Sequence, residues 1–326
     1  MISPKLTSHY TIAVPMPVVR LAPANRKTRM EIAAARWAEL RAGRPDLAPA
    51  VTLQAELVGL VMDLADIIER GRPPRLSLPP KYLAAKLARG VPFLTAEPIP
   101  VPTAVLKPTL LKLCQALSRG GAGAPADHIH DLIASGKLEA GSLFAASIAR
   151  DQKSIRDGAN HRAVSPDLLW LVGELAVSPY VHHLTQSLLA NLDASLDAAL
   201  ADWDLGFCPA CGSWPALAEV ADHHRVLRCS FCATAWELKR YACVYCRQGG
   251  DSFITAAPDP ARVERRLELC NACGGYLKTV DVAALSPFPL LAIGDMETMD
   301  LDLAAMEGKY HRPAAQAVKR ERGDGV

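Results

Sequence analysis

From Thr28 to about Asp204, apolar residues return every three or four positions, the period of helices with one buried face. Met30 to Ala42 and Leu53 to Arg70 carry the pattern at length. Arg72 to Pro80 holds four prolines and interrupts it, because proline lacks the N–H that a helix needs. Lys81 to Arg89 predicts a short helix and Glu97 to Pro102 a proline-rich linker. Thr103 to Ser118 and Ala126 to Ser135 predict two further helices. Leu138 to about Arg162 reads as one helix, with Leu143, Phe144, Ile148 and Ile155 on a shared side. Ser165-Pro166-Asp167 predicts the next start, a capping serine with proline at the first helical position. Pro179 predicts a break or kink in that segment. Leu184, Leu188, Leu192, Leu196 and Leu200 then mark a buried helical stripe. Ahead of all this, the first ~25 residues lack helical periodicity and predict an extended lead-in.

The pattern changes at about Leu205. Short β-prone pieces now alternate with cysteine turns: Ala218 to Val220, Arg225 to Leu227, Thr234 to Leu238, Phe253 to Ala256, Arg266 to Leu269 and Tyr276 to Val280. After Val282 the sequence turns helical again, with Met296 to Met306 as the closing helix, and Lys319 to Val326 is a charged tail expected to fray. The expected architecture is α+β and multidomain. An all-α helical domain (1–204) precedes a first rubredoxin-like or zinc-ribbon-like β module (205–240), a second module (241–281), and a C-terminal helix and tail (282–326).

Eight of the nine cysteines form four Cys-x-x-Cys pairs: Cys208/Cys211, Cys229/Cys232, Cys243/Cys246 and Cys270/Cys273. Such a turn aims two thiolates at one ion while its amides donate to sulfur. Two turns complete a tetrahedral S4 site. Gly212 and Gly274 follow two pairs, where a tight knuckle needs positive φ. Seventeen residues separate the first two knuckles and twenty-three the last two, intervals that suit a hairpin and favour sequential over interleaved pairing. Closed S4 sites leave no position for substrate, so a structural role comes first and a redox role second. Arg225, Arg228, Lys239, Arg240 and Arg247 lie close enough in sequence to offset the charge of four thiolates.

Other candidates read plainly. Cys114 fits a buried core thiol. His223 and His224 fall in a turn beside cysteines that already fill the site; His182, His183, His128 and His130 fit solvated or capping roles on helices; Trp236 packs over its β unit. No phosphate loop, His-Glu-x-x-His or nucleophile elbow is present, so no catalytic residue is proposed and the chain is not expected to be an enzyme. The 326 residues, half of them hydrophobic, suffice for about two domains. A net charge of +2 gives no push toward nucleic acid or an anionic membrane. Pro4, Pro15, Pro17 and Pro23 break any secretory pattern, and no run approaches the ~20 apolar residues of a membrane helix. The expected location is the cytoplasm, where paired cysteines read as metal ligands or redox centres.

The cysteine region resembles the FdhE family, accessory proteins of formate dehydrogenase. The likeness rests on Cys208-Pro209-Ala210-Cys211-Gly212-Ser213-Trp214-Pro215, on Leu227-Arg228-Cys229-Ser230-Phe231-Cys232 with Trp236 behind it, on Arg240 and Cys243-Val244-Tyr245-Cys246, and on Cys270-Asn271-Ala272-Cys273-Gly274-Gly275-Tyr276-Leu277-Lys278. The resemblance implies a cytoplasmic maturation factor that contacts the molybdenum-containing catalytic subunit of formate dehydrogenase. It also implies a helical domain followed by two rubredoxin-like modules that bind metal, iron with zinc as the alternative. The helical domain is expected either to add to the client surface or to join two copies. Two other classes compete. A double zinc-ribbon nucleic-acid binder would need a basic surface, yet Cys208 to Cys273 holds eight Lys/Arg against seven Asp/Glu. A rubredoxin-type electron carrier would show visible absorption and a one-electron couple.

Overall fold

The computed structural model describes residues 18–19, 25–74, 76–190 and 192–313. Most of the expected lead-in and the charged tail Lys319 to Val326 lie outside these residues.

The helical half is built from α1 (Arg26–Gly43), α2 (Ala48–Arg70), α3 (Pro80–Ala88), α4 (Thr103–Leu117), α5 (Gly123–Ala134), α6 (Ala140–Ile148), α7 (Gln152–His161), α8 (Pro166–Leu189) and α9 (Ala194–Ala201). α2, α4 and α8 pack on one another, α6 and α7 lie against α8, and α3 lies against α9. Ser165 caps α8 as its Ser-Pro start predicts, accepting from Leu168 N at 3.4 Å.

Three helical expectations need correction. Leu138 to Arg162 is two helices. Arg150 adopts φ 58°, and Asp151 caps α7 by accepting from Ser154 N at 3.0 Å. Leu143, Phe144, Ile148 and Ile155 are nevertheless all buried, so the shared side survives the break. Pro179 does not end α8. Proline frees the carbonyl four residues back, and Ser178 Oγ donates to that carbonyl, Leu175 O, at 3.3 Å. The leucine stripe spans two helices, α8 ending at Leu189 and Asp193 capping α9 through Leu196 N.

The β half holds β2 (Pro215–Ala221), β3 (His224–Cys229), β4 (Ala235–Trp236), β5 (Phe253–Ala256), β6 (Arg265–Cys270) and β7 (Tyr276–Asp281). Each matches one expected piece. A short strand β1 (Val18–Val19) pairs antiparallel with β4, and the seven strands form one sheet in the order β1-β4-β3-β2-β7-β6-β5. A knuckle precedes β2 and β5, and another precedes β4 and β7. The order 4-3-2 followed by 7-6-5 is therefore one unit repeated side by side, and the parallel join of β2 to β7 (Ala218↔Thr279) follows from that repetition.

Beyond the sheet, the single closing helix is replaced by two, α10 (Leu291–Glu297) and α11 (Met299–Glu307). α10 packs on α1 and β2, and α11 on β6 and β7. Among the described residues no helix is long and apolar enough to cross a membrane.

Candidate metal centres

The four knuckles converge in sequential pairs. Cys208, Cys211, Cys229 and Cys232 form one set and Cys243, Cys246, Cys270 and Cys273 the other, with the four sulfurs of each set within 4.8 Å of one another. Measured Sγ–Sγ separations are 3.4 Å (Cys211–Cys229), 3.6 Å (Cys208–Cys232), 3.5 Å (Cys246–Cys270) and 3.7 Å (Cys243–Cys273). A disulfide would bring sulfurs to about 2.05 Å. A tetrahedron of thiolates at the 2.3 Å bond length of a zinc site has an edge of about 3.8 Å. The spacing therefore fits ligands around an ion. Burial pushes the Cys208 and Cys229 thiols well above their ordinary range, while at Cys211 burial is outweighed by hydrogen bonds from the neighbouring sulfurs and Ser213, which hold it well below.

All four knuckles share one backbone. The first cysteine's N–H donates to the carbonyl five residues on at 2.9 Å, at Ser213, Thr234, Gln248 and Gly275. The residue after the second cysteine takes positive φ: Gly212 (78°), Ala233 (55°), Arg247 (65°) and Gly274 (70°). Glycine is the favoured residue there, and the two non-glycine positions show that it is not obligatory. Gly212→Ala should cost about 1–2 kcal/mol, because its Cβ would also stand 3.3 Å from Pro92 Cγ. An unchanged urea midpoint would contradict this. Gly206 is stricter, since a Cβ there would fall 1.7 Å from Val244 O in the third knuckle.

The helical half grips the first centre directly. After α3, Phe93 N donates to Pro209 O at 3.0 Å and Leu94 N to Ala210 O at 2.9 Å. His182 of α8 meets Cys232 O through Nδ1 at 2.8 Å and stacks on Phe288 at 4.4 Å. The residue is partly buried, and desolvation pushes its pKa down to about 4, so of the solvated and capping roles expected of it the solvated one does not hold. Arg150, at the α6–α7 break, lies 4.3 Å over the Phe231 ring and 4.5 Å over Trp170. Its guanidinium pairs with Glu174 at 3.0 Å. Cys211 Sγ lies 3.4 Å from Ser213 Oγ, and Cys232 Sγ 3.0 Å from Thr234 Oγ1. Position two after each closing cysteine could have flagged these hydroxyls; at the second centre the same positions carry Gln248 and Gly275.

Four of the five cations expected to offset the thiolates are paired with carboxylates, and Arg225 and Arg228 also feel the charge of Cys243 and Cys229. Arg225 pairs with Glu268, Arg228 with Glu219, Lys239 with Asp202 and Arg247 with Asp204. Arg240 is exposed. The remaining candidates behave as read. Cys114 is buried, with its thiol pushed up to about 12 by desolvation. His223 is exposed in the β2–β3 turn, and His224, also exposed, opens β3. Trp236 is fully buried in β4 and donates to Leu205 O at 3.2 Å. Between the centres, Trp214 and Tyr245 meet edge to face at 5.0 Å.

No family model matches the chain. Among curated proteins, an FdhE homologue of Pseudomonas putida is 32% identical over 154 residues, covering 39% of this chain and 47% of that protein. One from Rhizobium meliloti is 29% identical over 164 residues, covering 44% and 53%. The chain thus spans about half the length of the curated relatives it matches. In fold it is similar to the crystal structure of the FdhE protein from Pseudomonas aeruginosa, with a TM-score of 0.57 and 22% identity over 91% of this chain and 96% of that one. The likeness to curated FdhE homologues thus extends over part of the chain, and the likeness in fold to the Pseudomonas aeruginosa FdhE protein over nearly all of it.

Proposed function

We propose that the chain is a metal-binding accessory protein for the maturation of formate dehydrogenase and docks on the catalytic subunit of that enzyme in the cytoplasm. The observation that carries the reading is the pair of S4 clusters at tetrahedral spacing on the FdhE fold. In this reading Cys208, Cys211, Cys229 and Cys232 ligate one ion, and Cys243, Cys246, Cys270 and Cys273 the other, iron or zinc in each. The ions fix the knuckles, and the knuckles fix the sheet that the client meets. The helical domain (1–204) extends that surface, and no catalytic residue is assigned.

The test is co-purification of tagged full-length chain with the catalytic subunit, alongside elemental analysis and a visible spectrum of anaerobically prepared protein. Wild type is expected to retain the subunit, and Cys270→Ser to lose it together with metal. Retention by a folded, metal-free variant would reject the reading. Ferric S4 absorption would assign iron, and a colourless protein containing zinc would assign the alternative.

A further inference from the structure

The two centres have the same knuckle backbone but different surroundings. Every cysteine of the first set is buried, and all four belong to the main hydrophobic core shared with the helices. The second set sits in a small satellite cluster with Phe253, and its closing cysteines, Cys246 and Cys273, are partly exposed. The first centre has two hydroxyls beside its sulfurs, and the helical half bonds to both its knuckles. On the second, Asn271 and Ala272 of the fourth knuckle are exposed. That knuckle is bordered by Tyr310 and His311, His311 N donating to Gly274 O at 2.8 Å and Tyr310 Oη to Asn271 Oδ1 at 2.6 Å. A cavity of about 530 Å³ does reach the first centre, with Phe231, Trp214 and Cys229 among its walls, yet Cys229 has no exposed surface.

We propose that the second centre is the exchangeable one. An external thiol or chelator enters at Cys246 and Cys273 and takes its ion from the folded chain, whereas the first centre releases its ion only when the sheet parts from the helices. The step is ligand substitution: an incoming donor forms a bond to the ion, one Cys–metal bond breaks, and the departing thiolate takes a proton from water, with no change of oxidation state. Opening at the second centre is local, while opening at the first requires disrupting the main core, and such sub-global events differ widely in free energy. This rests on the reading that each set holds an ion.

The test uses full-length chain loaded with zinc and exposed under native conditions to an excess of a chromogenic zinc chelator, whose absorbance follows release. One equivalent is expected to leave at least ~10-fold faster than the other, as expected when local opening precedes global opening. Iodoacetamide added during the fast phase, with mass mapping, should label Cys243, Cys246, Cys270 and Cys273 before Cys208, Cys211, Cys229 and Cys232. In Cys273→Ser the fast phase should vanish while the slow one persists. A single phase for both ions, release only with unfolding, or early labelling of the first set would overturn the inference. Failure to take up two zinc ions would instead reject the ligand assignment beneath it.

Discussion

Replacing Cys229 with serine should cost the chain its stability as well as an ion. Cys229 ends β3 with no exposed surface, 3.4 Å from Cys211 Sγ, and its sulfur accepts from Phe231 N and Cys232 N at 3.4 Å each. A serine oxygen is a poor, less easily ionised ligand on a shorter bond, so three thiolates are left without a complete tetrahedron. In zinc-finger peptides metal binding contributes about 10–16 kcal/mol to folding, and a whole domain is stable by only about 5–15 kcal/mol. The sheet has little core of its own. The helices also lean on this centre, through Phe93 and Leu94 at the first knuckle and His182 at the second. The expected result is a melting midpoint at least ~10 °C below wild type by circular dichroism, a shift matching loss of a few kcal/mol in a chain of this class, with bound metal falling by one or both ions. Cys273→Ser, at the satellite centre, should lower the midpoint less. Loss of the ion from Cys229→Ser with an unchanged melt would show that the first centre does not hold the fold.

The two four-cysteine clusters were legible in the sequence because their parts are local. Each knuckle is complete within six residues, and the intervals between knuckles favour sequential pairing. The strands were legible for the same reason. Their arrangement was not: β2 lies beside β7 only because two copies of one unit stand side by side, and alternation along a strand says nothing about its neighbour. The helix break at Arg150 was hidden because apolar spacing continues across it, and α8 runs on through Pro179 with the freed Leu175 carbonyl taken up by Ser178 Oγ. The carboxylate partners of the cations were hidden because most of them come from distant parts of the chain. Glu219, Arg228, Glu268 and Lys278 are buried. The sequence does not reveal that α10 and α11 fold back over the sheet and that Lys278 reaches Asp295 O at 2.8 Å and Asp302 at 2.7 Å.

That buried face leads to the second large effect, expected of Glu219→Gln. The Arg228 and Glu219 side chains pair with 0% and 3% of their surface exposed. Both also hold Ser286: its N–H donates to the Glu219 carboxylate at 3.1 Å, and Arg228 Nη2 donates to its carbonyl at 2.7 Å. Three elements therefore meet at one ion pair: β2, β3 and the segment that leads into α10. Glutamine keeps the shape and removes the charge, leaving the guanidinium without its carboxylate partner in a dry site. Breaking a buried pair in this way costs about 3–5 kcal/mol, to be read from urea midpoints at constant m-value. The double variant Glu219→Leu/Arg228→Met should be far less damaged than the two single changes summed, because two apolar side chains of similar volume need no partner. If the singles simply add, or Glu219→Gln melts like wild type, the pair does not join the sheet to its C-terminal helices. If they couple as expected, Arg228 also carries the loss to its neighbour Cys229, and Glu219→Gln should loosen the first ion while leaving the rate of release from the second unchanged.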